Sequence, residues 1–195
     1  VPINEDHSIV GQSPYSSSKI AADQLAISYY KSFKLPIKIV RPFNVYGPRQ
    51  SARAIIPTVV SQIISGRKEI ELGNLLPTRD LTYVMDTCSG FYEIYKCETL
   101  FGEITNIGMN DEISIQDLVD LISRLMDSEI KIKVSEERIR PDNSEVERLL
   151  CDNSKIIKNT KWEPKYSLEN GLAAVIEWMG NPENMTIYKS EVYNV

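Results

Sequence analysis

The chain has 195 residues, a formal net charge of −5, and 42% hydrophobic and 25% charged residues. These fractions are ordinary for a globular protein large enough to bury a core, and no low-complexity block interrupts them. The negative balance argues against nucleic acid as the main partner, and no apolar run approaches the roughly 20 residues that span a bilayer. We therefore expect neither a nucleic acid nor a membrane as partner.

The cysteine and histidine residues exclude several kinds of site. Three scattered cysteines, Cys88, Cys97 and Cys151, fit neither a disulfide framework nor a zinc-binding spacing. They suit a reducing compartment, so we expect a cytoplasmic protein. His7 is the single histidine, which excludes histidine-based triads and multi-histidine metal centres. We expect no metal site.

The first element along the chain is a helix with a clear start. Ser13 is suited to the N-cap and Pro14 to the first turn, and the apolar spacing continues to about Phe33. A short strand over residues 37–40 follows and is ended by Pro42. A helix and a strand joined so tightly predict an α/β architecture with a parallel sheet.

The remaining elements alternate less regularly. Apolar residues recur at helical spacing over residues 55–64, over residues 168–179 and in the segment that follows Ser114. A further helix is expected behind Asp86, which could cap it. A short helix is also expected over residues 154–159. Strands are expected over residues 69–72, 81–84, 103–107 and 130–134. We interpret most of the chain beyond residue 50 as a lobe that bears part of a ligand site.

Tyr15 and Lys19 are the most informative pair in this sequence. Residues four apart on a helix share one face, so the lysine ammonium can stabilise a tyrosine phenolate, which is the form that acts as a base. The spacing alone is weak evidence, because Tyr30/Lys34 and Tyr92/Lys96 repeat it. Tyr15 differs in its position at a helix start, with only serines between the two residues.

Other polar side chains lie near the expected ends of strands. Asn44 follows the first strand, Arg79 precedes another, and Arg140 lies in a charged segment, so the three could converge on a diphosphate. Arg53 stands at a helix start, where a cation opposes the helix dipole and an anion would be favoured. The alternative to a ligand site is that the arginines form surface ion pairs and that Asn44 is a turn residue.

No glycine-rich dinucleotide-binding turn occurs in the chain. This absence is evidence either against an NAD enzyme or for an N-terminal half that lies outside this sequence. The opening at Val1, in what looks like the middle of a loop, favours the second reading.

Several ordered motifs together resemble the extended short-chain dehydrogenase/reductases that act on nucleotide sugars. The resemblance covers nearly the whole chain and includes Asn106-Ile-Gly108 and the closing segment from Trp162 to Gly171. The motifs that carry it are Ser13-Pro-Tyr15-Ser-Ser-Ser-Lys19, Arg41-Pro-Phe-Asn44-Val-Tyr-Gly-Pro48, Arg79-Asp-Leu-Thr-Tyr-Val-Met-Asp86 and Arg140-Pro141.

The resemblance implies a fold and a division of the chain. It implies the C-terminal part of a Rossmann-like parallel sheet plus a smaller mixed α/β substrate-binding lobe. Residues 1–50 would be the remainder of the NAD-binding domain. Residues 51–195 would mainly form the nucleotide-sugar-binding lobe, with interleaved Rossmann elements.

The resemblance also implies the roles of individual residues. Tyr15 would be the base for the sugar 4-hydroxyl, and Lys19 would hold the nicotinamide ribose of NAD, with NADP the less favoured cofactor. Pro42 would also contact the cofactor. The nucleotide-diphosphate sugar would be bound by Asn44, Arg53, Arg79, Asn106 and Arg140.

Within the family the motifs are most similar to nucleotide-sugar 4,6-dehydratases of the GDP-N-acetylglucosamine type. GDP-mannose 4,6-dehydratases and UDP-sugar 4-epimerases are near neighbours. The glutamate that eliminates water is expected outside this chain, so we expect no turnover by these residues alone. A non-catalytic nucleotide-binding remnant is the other open reading. The family commonly forms homodimers through the helix that carries Tyr15.

Overall fold

A computed structural model describes residues 1–135 and 146–188. In chain order the elements are α1 (Pro14–Phe33), β1 (Ile39–Pro42), β2 (Asn44–Tyr46), α2 (Ile55–Ile64), β3 (Glu69–Leu72), β4 (Thr78–Arg79), β5 (Leu81–Tyr83), α3 (Val84–Lys96), β6 (Ile104–Ile107), β7 (Ile113–Ser114), α4 (Ile115–Leu125), β8 (Lys131–Val134), β9 (Arg148–Leu149), α5 (Ser154–Asn159), α6 (Leu168–Gly180) and α7 (Pro182–Met185). The α/β class expected from the sequence is confirmed.

The contacts group the chain into two compact units with interleaved segments. The first unit comprises Val1–Val45, Arg79–Glu112 and Pro141–Lys165. The second comprises Tyr46–Thr78, Ile113–Arg140 and Tyr166–Val195. The assignment of one region to the cofactor and the other to the sugar nucleotide stays a prediction.

In the first unit, β1 and β6 pair in parallel with Ile39 opposite Ile104 and Pro42 opposite Ile107. Val40 packs against the core that α3 contributes, whereas the Arg41 side chain bonds to α1. Because successive strand residues point to opposite faces, α1 and α3 cover opposite faces of this pair. This arrangement places the start of α1 and the end of β1 in the same unit.

The core of the first unit is built around Trp162, which is only 2% exposed. Its Nε1 donates a hydrogen bond of 2.9 Å to the Asp86 carbonyl oxygen, so the buried indole is satisfied. The residues that share this core are Ile94, Leu100, Ile107 and Ile156. They come from β6, α3, α5 and the turn after α3, which the core therefore ties together.

In the second unit, three helices pack on one another and β3 pairs in parallel with β8. The apolar faces of α2, α4 and α6 supply the core, and their caps explain where two of them begin. Ser114 accepts from the Asp117 amide at the start of α4, and Ser167 accepts from the Asn170 amide at the start of α6. The predicted bounds of α2 and α6 are confirmed to within one residue, and α4 begins directly behind Ser114 as predicted.

Two local predictions need correction. The first strand runs over Ile39–Pro42 instead of residues 37–40, because the Ile37 amide bonds to the Leu35 carbonyl in a tight turn. Asp86 does not cap α3, which begins two residues earlier at Val84, directly after β5. Asp86 lies buried in the first turn, where its Oδ1 accepts from the Lys165 amide.

Candidate functional site

The start of α1 is fixed by a reciprocal pair of serine hydrogen bonds. The Ser13 Oγ accepts from the Ser16 amide at 3.1 Å, and the Ser16 Oγ accepts from the Ser13 amide at 2.9 Å. Together with Pro14 in the first turn, this capping box defines where the helix begins. Tyr15 therefore lies on the first turn of α1, and Lys19 lies one turn further on.

The Tyr15 and Lys19 side chains lie together on the surface of the first unit. The Lys19 Nζ is 5.5 Å from the centroid of the Tyr15 ring, and the Tyr15 side chain is 72% exposed. At this distance the cation interacts with the aromatic ring. Both polar tips are therefore accessible to a bound molecule.

The local geometry does not by itself distinguish this pair from the other two. Lys96 lies 4.9 Å from the Tyr92 ring, and Lys34 lies 5.9 Å from the Tyr30 ring. All three pairs show the same cation–aromatic contact because four-residue spacing on a helix produces it. What separates Tyr15 is its place on the first turn of a capped helix.

Two predicted site residues lie at the end of β1 and at the start of β2, two positions further on. Pro42 is exposed, and the Phe43 amide continues the pairing by donating to the Ile107 carbonyl at 2.8 Å. Asn44 is half-buried, and its Nδ2 donates to the Asp80 carbonyl at 3.4 Å. Ligands of open parallel sheets bind beyond the carboxyl ends of the strands, which is where these residues lie.

Arg79 and Asn106 are engaged with the main chain. The Arg79 Nη1 donates to the Val146 carbonyl at 2.6 Å. Asn106 is buried, and its Nδ2 donates to the Ile3 carbonyl at 3.2 Å. The Asn106 amide donates to the Glu5 carboxylate at 2.8 Å. The two Asn106 bonds hold the N-terminal segment against β6. A role of the Arg79 or Asn106 side chain in ligand binding stays a prediction.

The other two predicted residues fall elsewhere. Arg53 is exposed just before α2, in the second unit, and Arg140 lies outside the described residues. The structure therefore gathers Tyr15, Lys19, Pro42, Asn44, Arg79 and Asn106 in the first unit.

Asp80 is a structural residue that the sequence reasoning missed. It is fully buried, and its carboxylate accepts from the amides of Met109 at 2.8 Å, Asn110 at 3.0 Å and Cys151 at 3.1 Å. Burial raises the pKa of Asp80 above its usual range, although these backbone donors oppose the rise. From the sequence alone, Asp80 and Asp86 are simply two carboxylates with which Arg79 could pair at the surface. The Arg-Asp pair directly before a strand is the one signal that could have indicated a buried anchor.

Gly108 completes this junction by allowing a close approach. A Cβ at Gly108 would lie 2.2 Å from the Cys151 Cβ and 3.1 Å from the Asp80 Oδ2. Only glycine fits there without displacing its neighbours. The Asp80 carboxylate thereby fixes the loop after β6 and the segment around Cys151 to each other.

Two further observations bear on possible ligands. In residues 1–135 and 146–188, no group of three histidine, cysteine or acidic side chains is arranged to hold a metal ion. None of the helices found in those residues has the length and apolar character required to cross a membrane.

The parallel β1–β6 pair covered by α1 and α3 is the arrangement of a Rossmann-like fold, and the solved structures with this fold that resemble the chain include NAD-bound relatives. The family model described as GDP-mannose 4,6 dehydratase matches residues 1–175. The chain belongs to this family, and the resemblance to nucleotide-sugar short-chain dehydrogenase/reductases is confirmed.

Individual relatives agree with this family. The dTDP-D-glucose 4,6-dehydratase of Homo sapiens is 35% identical over 170 residues, covering 85% of this chain and 47% of that protein. The dTDP-glucose 4,6-dehydratase of Bacillus anthracis, solved in complex with NAD, has a TM-score of 0.82 at 31% identity, covering 96% of this chain and 58% of that one.

An epimerase is also similar. The UDP-glucuronic acid 4-epimerase of Bacillus cereus, solved with UDP-glucuronic acid and NAD, has a TM-score of 0.83 at 27% identity, covering 92% of this chain and 56% of that one. The chain spans about half the length of the curated relatives it matches.

Proposed function

We propose that the complete protein is an NAD-dependent nucleotide-sugar 4,6-dehydratase, and that this chain carries its Tyr15–Lys19 pair. The observation that supports this most is the accessible Tyr15–Lys19 pair at the capped start of α1, in a chain whose family model is a 4,6-dehydratase. The sugar and the nucleotide are not specified by these residues. In this role the protein is a lyase.

The residues present fit the cofactor. The Tyr15 hydroxyl and the Lys19 ammonium form no hydrogen bond to a side chain or backbone group in the described part of the chain, and both are exposed. They can therefore bind the ribose hydroxyls and the nicotinamide side of NAD, with Pro42 as an apolar contact at the end of β1. NAD, when bound, supplies the acceptor and donor of a hydride. Two related proteins were solved with NAD.

The protein's own residues would act on the sugar as follows. The Tyr15 phenolate takes the proton from the 4-hydroxyl as the C4–H bond is broken, and the Lys19 ammonium stabilises the phenolate. Loss of the C5 proton and the C6 hydroxyl as water would then leave a C5–C6 double bond, through a glutamate expected outside this chain. The hydride removed from C4 would return to C6 while C5 regains a proton. Asn44 and Arg79 would orient the sugar and its diphosphate, aided by Arg53, Asn106 and Arg140.

A 4-epimerase is the second candidate, and the similarity to UDP-glucuronic acid 4-epimerase favours it. Both reactions begin with the same proton removal by Tyr15, so this part of the site does not separate them. The products do: a dehydratase releases a sugar nucleotide lighter by one water, whereas an epimerase releases an isomer of unchanged mass.

We also propose that the complete protein is a cytoplasmic homodimer. The outward face of α1 exposes Leu25, Tyr29 and Phe33, and the last two rings contact each other with centroids 5.6 Å apart. A second copy of α1 is the partner that such an apolar helical face suits. The three cysteines are free, which suits a reducing compartment.

The test uses the complete protein with NAD and a panel of GDP-, dTDP- and UDP-sugars, with products identified by mass and by nuclear magnetic resonance. Tyr15→Phe should reduce turnover by about 10²-fold or more while leaving nucleotide binding intact. Tyr92→Phe is the matched control, because it removes the hydroxyl from a pair of the same spacing. Equal, wild-type-like activities of the two variants would contradict the role of Tyr15 as the base. No turnover of any sugar nucleotide by the wild type would contradict the enzyme proposal and leave a nucleotide-binding remnant. The 195-residue chain alone should show no turnover.

A further inference from the structure

The helix that carries Tyr15 and Lys19 is held on the first unit by few contacts. None of its 20 residues is fully buried. Its half-buried side chains include Ser16, Ile20, Asp23, Ile27 and Tyr30, a spacing of four, three, four and three that forms one stripe. Tyr15 and Lys19 lie outside this stripe and are exposed, so their position depends on how the whole helix is seated.

One directional contact fixes the middle of α1. The Arg41 Nε donates to the Asp23 Oδ2 at 2.7 Å, with the two side chains 26% and 21% exposed. In the part of the chain that the structure describes, no other side-chain hydrogen bond joins α1 to another element. Arg41 belongs to β1 and immediately precedes Pro42. The ion pair therefore connects α1 to the strand that ends at the candidate site.

A second contact fixes the far end of α1. The Tyr30 ring packs against Gly102, where a Cβ would lie 2.1 Å from the ring. Tyr15 and Tyr30 are 15 residues apart, or about 22 Å along a helix. A tilt of about 3° around Tyr30 would therefore move Tyr15 by about 1 Å. Asp23 lies between the two, where its bond to Arg41 opposes such a tilt.

We propose that Asp23 and Arg41 are positioning residues, whose ion pair sets the tilt of α1 and so places Tyr15 and Lys19 relative to the end of β1. This inference rests on the proposed function. Proton transfer needs the base within about 3 Å of the proton donor, and a misplacement of about 1 Å can cost on the order of 10²-fold in rate. The pair acts through the helix and does not touch the sugar or the cofactor.

The test measures steady-state kinetics of the complete protein carrying Asp23→Asn. We expect kcat to fall about tenfold or more, with KM for the sugar nucleotide within about threefold of the wild type, because orientation and not binding is lost. Asp23→Glu keeps a carboxylate within reach of Arg41 and should restore part of the lost kcat. Glu93→Gln is the matched control, since it breaks the Glu93–Lys96 ion pair on α3 in the same unit.

Each alternative outcome is distinct. A kcat within twofold of wild type, or a raised KM with unchanged kcat, overturns the positioning role. If Asp23→Asn lowers the yield of folded protein, Arg41→Lys keeps the charge but loses the guanidinium geometry, and it should show the same fall in kcat. A wild-type protein that converts no sugar nucleotide refutes the proposed function before any variant is compared.

Discussion

Asp80 is a buried carboxylate held by main-chain donors. Amide donors on Met109, Asn110 and Cys151 bind this carboxylate and so join two loops of the first unit. An ionised group without a cationic neighbour is costly to bury, and the backbone amides offset part of this cost. Both the amide bonds and the burial have consequences that can be measured.

Asp80→Asn should destabilise the protein at neutral pH by about 1–3 kcal/mol, because an amide cannot accept from all three buried donors. The raised pKa adds a pH dependence: the folded state binds the Asp80 proton more tightly than the unfolded state. Stability from Asp80 therefore grows as pH falls towards the usual value of 3.8 and is lost as pH rises. Urea unfolding measured from neutral pH down to about pH 4 should show the unfolding free energy of the wild type rising relative to that of Asp80→Asn as the pH falls.

Asp152 provides a control of opposite sign for this experiment. Its bonds to the Ser154 hydroxyl and amide lower the pKa of Asp152. The stability that Asp152 contributes is therefore lost as pH falls, so the wild type should lose ground to Asp152→Asn towards acid. The effect should be small, because Asp152 is near the surface. If the difference in unfolding free energy between wild type and variant changed with pH in the same direction for Asp80→Asn and Asp152→Asn, burial would not be the cause of the raised Asp80 pKa.

Part of the candidate site could be predicted from local sequence signals, whereas the buried carboxylate beside it could not. Tyr15, Lys19 and Asn44 follow from a helix cap and a strand end, both of which are local signals. Asp80 could not be recognised as a buried anchor, because its partners lie 29 to 71 positions away and its burial depends on how those loops fold back. Local patterns place side chains on an element, whereas burial is decided by contacts between distant residues.

At the scale of elements, α1 depends on Gly102. This residue has a φ of +75°, a backbone conformation that favours glycine, and it also contacts the Tyr30 ring. Gly66 has a similar φ of +78°, but a Cβ there would meet nothing within 4 Å. The two glycines therefore separate backbone strain from packing.

Gly66→Ala should cost about 1 kcal/mol of unfolding free energy from backbone strain alone. Gly102→Ala should cost about 1–3 kcal/mol more, because the added methyl collides with the Tyr30 ring and displaces α1. Denaturant unfolding of the two variants measures both quantities. Equal losses would show that the Tyr30 ring moves aside freely and does not hold α1.

The helices were predicted better than the strands, for a physical reason. α1, α2, α4 and α6 have caps or apolar periodicity over about three turns or more, so local signals accumulate. β4, β7 and β9 are two residues long and exist only because distant segments pair with them. No local pattern encodes such partners.

At the scale of the whole molecule, the chain passes repeatedly between the two units. Four of these passages lie in described residues, after Val45, Thr78, Glu112 and Lys165. Neither unit is therefore a continuous segment, and neither can be completed before distant parts of the chain arrive. Which segments join each unit is again a property of distant contacts, so the interleaving has no signature in local sequence.

We expect this 195-residue chain to unfold in one cooperative transition. Trp178→Phe leaves Trp162, buried in the first unit, as the only tryptophan, and its fluorescence then reports that unit alone. Far-ultraviolet circular dichroism reports the helices of both units. The two signals should give one urea midpoint, because the chain segments that build each unit are joined through segments of the other unit. Separate midpoints would show that the units unfold independently.

The burial of Cys151 has a practical consequence. Its side chain has no exposure, and burial raises the pKa of its thiol, so little reactive thiolate forms in the folded protein. Cys88 is exposed and Cys97 is half-buried, so an alkylating reagent reaches these two first. Labelling of the third thiol must wait until the junction with Gly108 and Asp80 separates. The rate at which Cys151 is alkylated therefore measures how often the loops beside β6 open.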